Sequence, residues 1–121
     1  MPRKVIAVVD DLFFASKIRA TAESLDLDLR FARSLDSLAE IIASHQPDLM
    51  LVDLHNKKVD AISVAQLVRK EAHASTVPLL AFFSHVEVEL QRAALAAGYD
   101  RVIPRSVFSR DLAGILSGQL G

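Results

Sequence analysis

The sequence predicts an α/β fold in which five parallel strands form one sheet with helices on both of its faces. Short apolar runs alternate with segments of helical periodicity, and this alternation repeats five times along the 121 residues. A run that is apolar throughout suits a strand buried on both faces, as the strands of a parallel sheet are. Strands that alternate with helices form such a sheet. We expect one domain spanning residues 1–121, a length that supports a single substantial core.

The five predicted strands differ in their apolar pattern. Residues 5–9, 49–52 and 78–83 are continuous apolar runs, which predicts central strands. Residues 27–31 alternate apolar with charged residues, and residues 101–104 end in Pro104, so both segments suit edge strands. Right-handed crossovers leave few topologies, and the flavodoxin-like strand order 2-1-3-4-5 is the commonest for five units. That order independently makes strands 2 and 5 the edges.

Helical spacing predicts the five segments that follow the strands. They begin near residues 12, 35, 61, 86 and 106, and we expect Ser34 and Ser106 to cap the second and fifth helices. Gly98 suits the residue that ends the fourth helix. The residues expected to face the core are Phe14, Ile18, either Thr21 or Ala22, Leu25, Leu38, Ile41, Ile42, His45, Ala61, Val64, Ala65, Val68, Phe108, Leu112, Ile115 and Leu116.

Three acidic residues follow two of the central strands. Asp10 and Asp11 come directly after the first apolar run, and Asp53 ends the third strand. In the predicted order these strands are neighbours, about 4.8 Å apart, so their carboxyl ends meet at one sheet edge. Carboxylates that close repel one another unless a cation joins them, and Mg²⁺ is the hard cation that prefers oxygen ligands. If the strand order is different, the three acids lie in separate solvated loops.

Composition excludes several classes of function. The net charge is −1, which does not favour nucleic acid or an anionic membrane as a partner. There is no cysteine, and therefore no disulfide framework or thiolate metal site. The first apolar run is too short for a signal peptide or a membrane span, so we expect a cytoplasmic protein. The four histidines fall on different elements, and zinc needs three or four convergent ligands, so the sequence does not favour a zinc site.

The acidic residues and their surroundings resemble a known family. Val8-Val9-Asp10-Asp11, the run from Pro47 to Asp53, and Ala97-Gly98 before the last strand look like the receiver domain of two-component response regulators, over nearly the whole chain. The resemblance implies that Asp53 accepts a phosphoryl group from a histidine kinase or phosphotransfer protein. It also implies Mg²⁺ bound by Asp11 directly, by Asp10 through water, by Asp53 and by the backbone carbonyl of His55. At most, it implies Mg²⁺-dependent self-phosphorylation and dephosphorylation.

The sequence departs from the family pattern at the positions that respond to phosphorylation. The hydroxyl expected at the end of strand 4 falls on Phe83, although Ser84 follows and supplies a hydroxyl if the loop shifts by one residue. Arg105 stands in place of the family's lysine and keeps the positive charge. Val102 stands where the family has an aromatic switch residue. The resemblance therefore predicts a receiver with a degenerate switch.

Two further hypotheses remain beside a phosphorylated receiver. The chain is a pseudo-receiver, a protein-interaction module that does not use phosphorylation, if Phe83 and Val102 reflect loss of the switch. A flavodoxin-type cofactor binder is disfavoured because three acids repel the phosphate of FMN. Phe13 is a candidate contact for a kinase, and Val88 and Leu95 are candidates for the homodimer surface that the family forms with α4, β5 and α5.

Overall fold

The computed structural model describes residues 2–118 as a five-stranded parallel sheet between two layers of helices. The sheet order is β2-β1-β3-β4-β5, so the predicted fold class and topology are confirmed. The strands are β1 (Lys4–Val8), β2 (Asp28–Phe31), β3 (Leu49–Asp53), β4 (Leu79–Phe83) and β5 (Arg101–Pro104). As expected, the alternating strand and the strand that ends in proline form the two edges.

Six helices lie in the described part of the chain, and three of them begin at a side-chain cap. They are α1 (Leu12–Ser24), α2 (Leu35–Ser44), α3 (Ala61–Lys70), α4 (Val88–Ala97), α5 (Arg105–Arg110) and α6 (Leu112–Leu116). Asp11, Ser34 and Asp60 accept backbone N–H bonds at the starts of α1, α2 and α3, as polar N-cap residues do. None of the helices within residues 2–118 combines the length and apolar character that crossing a membrane requires.

The last helical segment differs from the prediction. Ser106 is not its cap, because α5 already begins at Arg105, directly after β5. The extended conformation of Pro104, with φ −62° and ψ 148°, suits the residue before a helix, so helical geometry starts one residue before Ser106. The segment is also divided at Asp111, where α5 ends and α6 follows. The predicted core residues Phe108, Leu112, Ile115 and Leu116 are buried.

Two other predicted core positions lie outside their helices. Leu25 follows the end of α1 and is 36% exposed, because the chain turns away at Asp26, which has a φ of +58°. His45 follows α2 in extended conformation and is only partly buried. In both cases the helical periodicity continues in sequence for one residue beyond the backbone helix.

Side chains from alternate strand positions build a separate core on each face of the sheet. Helices α1, α5 and α6 cover one face, where Phe82 packs with Phe14 and Phe108. Helices α2, α3 and α4 cover the other, where Phe83 packs in the cluster that contains Val8 and Val52. Consecutive residues of a strand point to opposite faces, so the two phenylalanines at the end of β4 belong to different cores.

The connection between α4 and β5 is fixed by an arginine and a tyrosine. Gly98 has a φ of +123°, and a Cβ there would lie 3.0 Å from the Arg69 side chain, so the position favours glycine. Arg69 donates hydrogen bonds to the carbonyl oxygens of Gly98 and Val77. The Tyr99 hydroxyl donates to the Ala61 carbonyl over 2.7 Å in the core. These contacts attach the loop before β5 to α3.

Replacing Tyr99 with phenylalanine should destabilise the fold. Tyr99→Phe removes a buried hydrogen bond and retains the ring, so we expect a loss of about 1–2 kcal/mol in the free energy of unfolding, measured by urea denaturation. The matched control is Ser117→Ala, which removes an exposed hydroxyl bond to the Ala113 carbonyl and should change stability by less than about 0.5 kcal/mol. Equal effects for the two variants would contradict this account.

Candidate functional site

The carboxyl edge of the sheet brings the three acidic residues together. β1 pairs in parallel with β3, with Val8 opposite Val52, so the residues that follow these two positions meet at one edge. Asp10, Asp11 and Asp53 line a single cleft of about 450 Å³, which we call the acidic cleft. Its other lining residues are Phe14, His55, Lys57, Phe82, Ser84, His85 and Arg105. The strand order thus places the predicted acids at one site.

Asp53 lies deepest of the three acids. It is partly buried, whereas Asp10 and Asp11 are exposed. Burial raises the pKa of Asp53, and the negative charges of Asp10 and Asp11 act in the same direction. The His55 backbone N–H, which donates to Asp53 Oδ1 over 2.9 Å, lowers the pKa of Asp53 and partly opposes that rise. Asp53 therefore holds its proton more tightly than an ordinary aspartate does, and a nearby cation would stabilise its charged form.

The carboxylate oxygens of the acidic cleft are suitable ligands for a hard cation. Asp11 Oδ1 accepts the Phe14 N–H over 3.1 Å and caps α1, which fixes the carboxylate and leaves its second oxygen available. Asp10 and Asp53 add further carboxylate oxygens. A set of carboxylate oxygens with space for water is what Mg²⁺ prefers, so the residues present fit that ion.

Two cationic side chains face these acids. Arg105, the first residue of α5, lines the acidic cleft with its guanidinium carbon 5.1 Å from the centre of the Phe14 ring. A cation over an aromatic face is held there by the ring quadrupole. Lys57, an exposed residue of the β3–α3 loop, lines the cleft as well. Together they supply positive charge beside three carboxylates.

Phe83, Ser84 and Val102, the residues predicted at or beside the family's switch positions, lie in different parts of the structure. Phe83 is buried in the core under α2, α3 and α4, and it is Phe82 that lines the acidic cleft. Ser84 follows β4, is exposed and also lines the cleft. Val102 is partly buried against the same core as Phe83. A hydroxyl is thus present at the cleft, one residue after the position where the family carries it.

Sequence reasoning missed three features of the site. It gave no role to Lys57, although a lysine four residues after Asp53 is close enough in sequence to reach the same edge. It also missed Asn56, whose Oδ1 accepts the N–H groups of Lys58 and Val59 and whose amide donates to the Val8 carbonyl. An asparagine in a loop is a typical signal for such a turn.

The third missed feature is the meeting of two histidines. The sequence places His55 and His85 on different loops, yet their rings stack with centroids 4.1 Å apart at the rim of the acidic cleft. His73 lies far from them in the fold and contacts Gln46 instead. The predicted strand order already places the loops after β3 and β4 side by side, but whether the two rings stack depends on the loop conformations, which the sequence does not show.

Comparison with known proteins points to one group. No family model matches the chain. The response regulator MprA of Mycolicibacterium vanbaalenii is 24% identical over 105 residues, a match that covers 87% of this chain and 45% of that protein. The chain therefore spans less than half the length of this curated relative.

Solved structures of the same fold include several receivers. A response regulator from Hahella chejuensis has a TM-score of 0.84 at 21% identity, covering 98% of this chain and 95% of that one. The chemotaxis response regulator CheY4 of Vibrio cholerae has a TM-score of 0.82 at 17% identity, covering 99% and 100%. The receiver domain of the sensor histidine kinase PA1611 from Pseudomonas aeruginosa, which has a magnesium ion coordinated in its active-site cleft, has a TM-score of 0.81 at 18% identity, covering 97% and 96%.

These likenesses agree with the arrangement of strands and acids described above. The sheet order and the helices on both faces are common to the chain and the fold of these relatives. The resemblance that the sequence predicts is confirmed: the chain has the fold of a response-regulator receiver domain and is similar in sequence to a response regulator.

Proposed function

We propose that this chain accepts a phosphoryl group on Asp53 from the phosphohistidine of a histidine kinase or phosphotransfer protein, in a reaction that depends on Mg²⁺. The observation that carries the proposal is the acidic cleft, in which three carboxylates and Arg105 meet at the carboxyl edge of a parallel sheet. Ligands of open α/β sheets bind at this edge. The cleft is thus the place where this fold holds a reacting group.

Four oxygen donors of the chain would hold the cation. They are the carboxylates of Asp10, Asp11 and Asp53 and the backbone carbonyl of His55. When bound, Mg²⁺ supplies positive charge that offsets the repulsion between a carboxylate nucleophile and an anionic phosphoryl group. The raised pKa of Asp53 supports this assignment, because a desolvated carboxylate beside two others is stabilised by a cation.

The chain's own side chains would then position the phosphoryl group. An Asp53 oxygen attacks the phosphorus, the bond from phosphorus to the donor histidine nitrogen breaks, and that imidazole leaves with a proton. Arg105 offers its guanidinium to the phosphoryl oxygens, and Ser84 offers a hydroxyl from the β4–α4 loop. Lys57 adds a second cation at the rim. The product is an aspartyl phosphate, a covalent intermediate that proteins do form.

The response to phosphorylation is proposed to be degenerate. Phe83 has no hydroxyl and packs in the core, and Val102 lacks the aromatic ring that the family rotates. A conformational change needs a contact that differs between the two states, and these two residues do not provide the usual one. The same observation favours the second candidate, a pseudo-receiver that binds partners without phosphorylation.

Exposed apolar side chains suggest where partners dock. Leu12 and Phe13 are 83% and 72% exposed beside Asp11, which supports a kinase or phosphotransfer partner at the start of α1. Val88 and Leu95 are 56% and 54% exposed on α4, which supports a homodimer through α4, β5 and α5. We propose no nucleic-acid or membrane contact by this domain, and a cytoplasmic location shared with its kinase.

The first test is adduct formation at Asp53. With Mg²⁺ and acetyl phosphate or fluoroberyllate, we expect one adduct per chain by intact mass or by NMR, and none in Asp53→Asn. Omitting Mg²⁺ should abolish the adduct, since three carboxylates then repel the anion. Absence of any adduct in the wild-type chain favours the pseudo-receiver. An adduct that leaves the amide signals of residues 84–87 and 101–105 unshifted identifies phosphorylation without the family's switch.

The second test concerns Arg105. Arg105→Ala should slow phosphorylation by acetyl phosphate by at least about tenfold, because a preorganised cation is lost; Lys57 limits the loss to less than the roughly 10²–10³-fold cost of removing a buried donor. The matched control is Arg92→Ala, which removes an exposed arginine of α4 that pairs only with Glu89 among the described residues. If both variants react at the wild-type rate, Arg105 has no part in the reaction.

The third test uses stability to probe the repulsion at the acidic cleft. In EDTA at neutral pH, Asp53→Asn should raise the midpoint of thermal unfolding, and added Mg²⁺ should reduce the difference. Burial raises the pKa of Asp53, so the native chain loses stability as the pH rises from the ordinary value toward that raised pKa. The advantage of Asp53→Asn should therefore disappear in acid. Glu40→Gln, at an exposed site on α2, is the control and should show none of this dependence.

A further inference from the structure

Two histidines and a glutamate from different loops meet at the rim of the acidic cleft. His55 comes from the loop of residues 54–60, after β3, and His85 and Glu87 come from the loop of residues 84–87, after β4. Their potential ligand atoms all lie within 4.8 Å of one another, and we call these three residues the His–Glu cluster. No other group of three or more such side chains converges in this way within residues 2–118.

The hydrogen bonds of His55 fix which of its ring nitrogens faces the cluster. Nε2 lies 3.2 Å from the carbonyl oxygen of His85, and since a carbonyl can only accept, Nε2 carries the proton. The lone pair of neutral His55 is therefore on Nδ1, which lies 3.8 Å from Glu87 Oε1. Metal-binding histidines characteristically donate their second N–H to a carbonyl or carboxylate, as His55 does here.

His85 contacts the same Glu87 carboxylate through its Nε2 atom. Its Nε2 lies 2.9 Å from Glu87 Oε1, and its Nδ1 lies 3.5 Å from the hydroxyl of Ser84. When a metal ion replaces the proton at Nε2, the proton moves to Nδ1, where the Ser84 oxygen can accept it. Both histidines thus have an outer partner that suits the ligating tautomer.

The charges in the cluster call for a cation. The Glu87 carboxylate lies 3.8 Å from His55 Nδ1, and the contact is favourable when that nitrogen holds either a proton or a metal ion. The His55 side chain is 15% exposed, so water screens this contact poorly, whereas the His85 side chain is 64% exposed and leaves the cluster open to entering ions. The cluster is therefore accessible to metal ions from solution.

We propose that His55 Nδ1, His85 Nε2 and the carboxylate of Glu87 bind one Zn²⁺ or a similar divalent transition-metal ion. Tetrahedral Zn²⁺ with ligand bonds of about 2.0–2.1 Å needs ligand atoms about 3.3 Å apart. Two of the separations, 2.9 and 3.8 Å, bracket that value, and the stacked rings of His55 and His85 must rotate until their in-plane lone pairs converge on one ion. Water occupies the fourth position, as in sites with three protein ligands.

This site differs in chemistry from the acidic cleft beside it. Imidazole nitrogens select zinc, nickel or copper over Mg²⁺, which prefers oxygen alone. His55 contributes its ring to the His–Glu cluster, and the proposed function uses only its backbone. The metal would connect the β3–α3 and β4–α4 loops, which are otherwise joined here by the His55 contacts to His85 and Glu87.

Metal titration of the purified chain tests the inference. After EDTA treatment and desalting, Zn²⁺ is titrated against a chromophoric chelator, and Co²⁺ reports coordination geometry by its visible absorption. We expect one Zn²⁺ per chain, unaffected by millimolar Mg²⁺, and tetrahedral Co²⁺ bands. His85→Gln and Glu87→Gln should each weaken binding by at least about 100-fold, beyond the roughly 10–100-fold cost of losing only an outer-shell partner.

Matched variants separate the cluster from its surroundings. His73→Gln removes an exposed histidine outside the cluster and should bind Zn²⁺ like the wild-type chain. Asp53→Asn retains the oxygen that accepts the His55 N–H and should also bind normally. Metal-free His85→Gln should unfold at the wild-type temperature, which excludes misfolding as the cause of weak binding.

The proposal is overturned if the wild-type chain binds no stoichiometric Zn²⁺, if His85→Gln and Glu87→Gln bind it unchanged, or if Asp53→Asn loses it. The last result would place the ion in the acidic cleft. Failure of the proposed function looks different: a chain that binds Zn²⁺ and forms no Asp53 adduct retains the His–Glu cluster as a site. An Asp53 adduct without Zn²⁺ binding refutes only the present inference.

Discussion

The parallel pairing of β1 with β3 is the constraint on which the site depends. Val8 lies opposite Val52, so Asp10 and Asp11, which follow β1, meet Asp53, which ends β3, at the same edge of the sheet. Burial and the charges of Asp10 and Asp11 then raise the pKa of Asp53. The N–H of His55 opposes part of that rise, and Arg105 and Lys57 bring positive charge to the same cleft. The fold thus concentrates negative charge at one edge and arranges the groups that compensate it.

The pleat of β4 explains why Phe82 and Phe83 lie in different cores. Phe82 and Phe83 point to opposite faces, so Phe82 joins the aromatic group under the acidic cleft while Phe83 fills the other core. Moving Phe83 toward the cleft would vacate a packed position, and a buried phenylalanine costs about 3–5 kcal/mol to remove. Ser84 reaches the cleft because it lies beyond the strand, where the alternation no longer applies. The position of the Ser84 hydroxyl therefore depends on the conformation of the loop after β4, and Ser84 itself is exposed and does not pack in either core.

The sequence predicted most of the scaffold and only part of the site. Apolar runs predicted the strands, the commonest topology for five units gave their order, and the meeting of Asp10, Asp11 and Asp53 followed from that order. The start of α5 was missed because the helix begins at Arg105 with Pro104 at the cap position, two residues before the predicted cap Ser106. The stacking of His55 on His85 was missed because it depends on the conformations of two loops, which the predicted pairing of β3 with β4 does not specify.

The contacts of His55 connect Asp53 to the loop that lacks the usual switch residue. Its backbone N–H donates to Asp53 Oδ1, while its ring donates to the His85 carbonyl and stacks on the His85 ring. Any change of charge at Asp53 alters the acceptor of that N–H, and a hydrogen bond to a charged group contributes about 1.5–3 kcal/mol, against about 1 kcal/mol for a neutral one. A continuous series of contacts therefore runs from Asp53 through His55 to the β4–α4 loop, and it does not include Phe83.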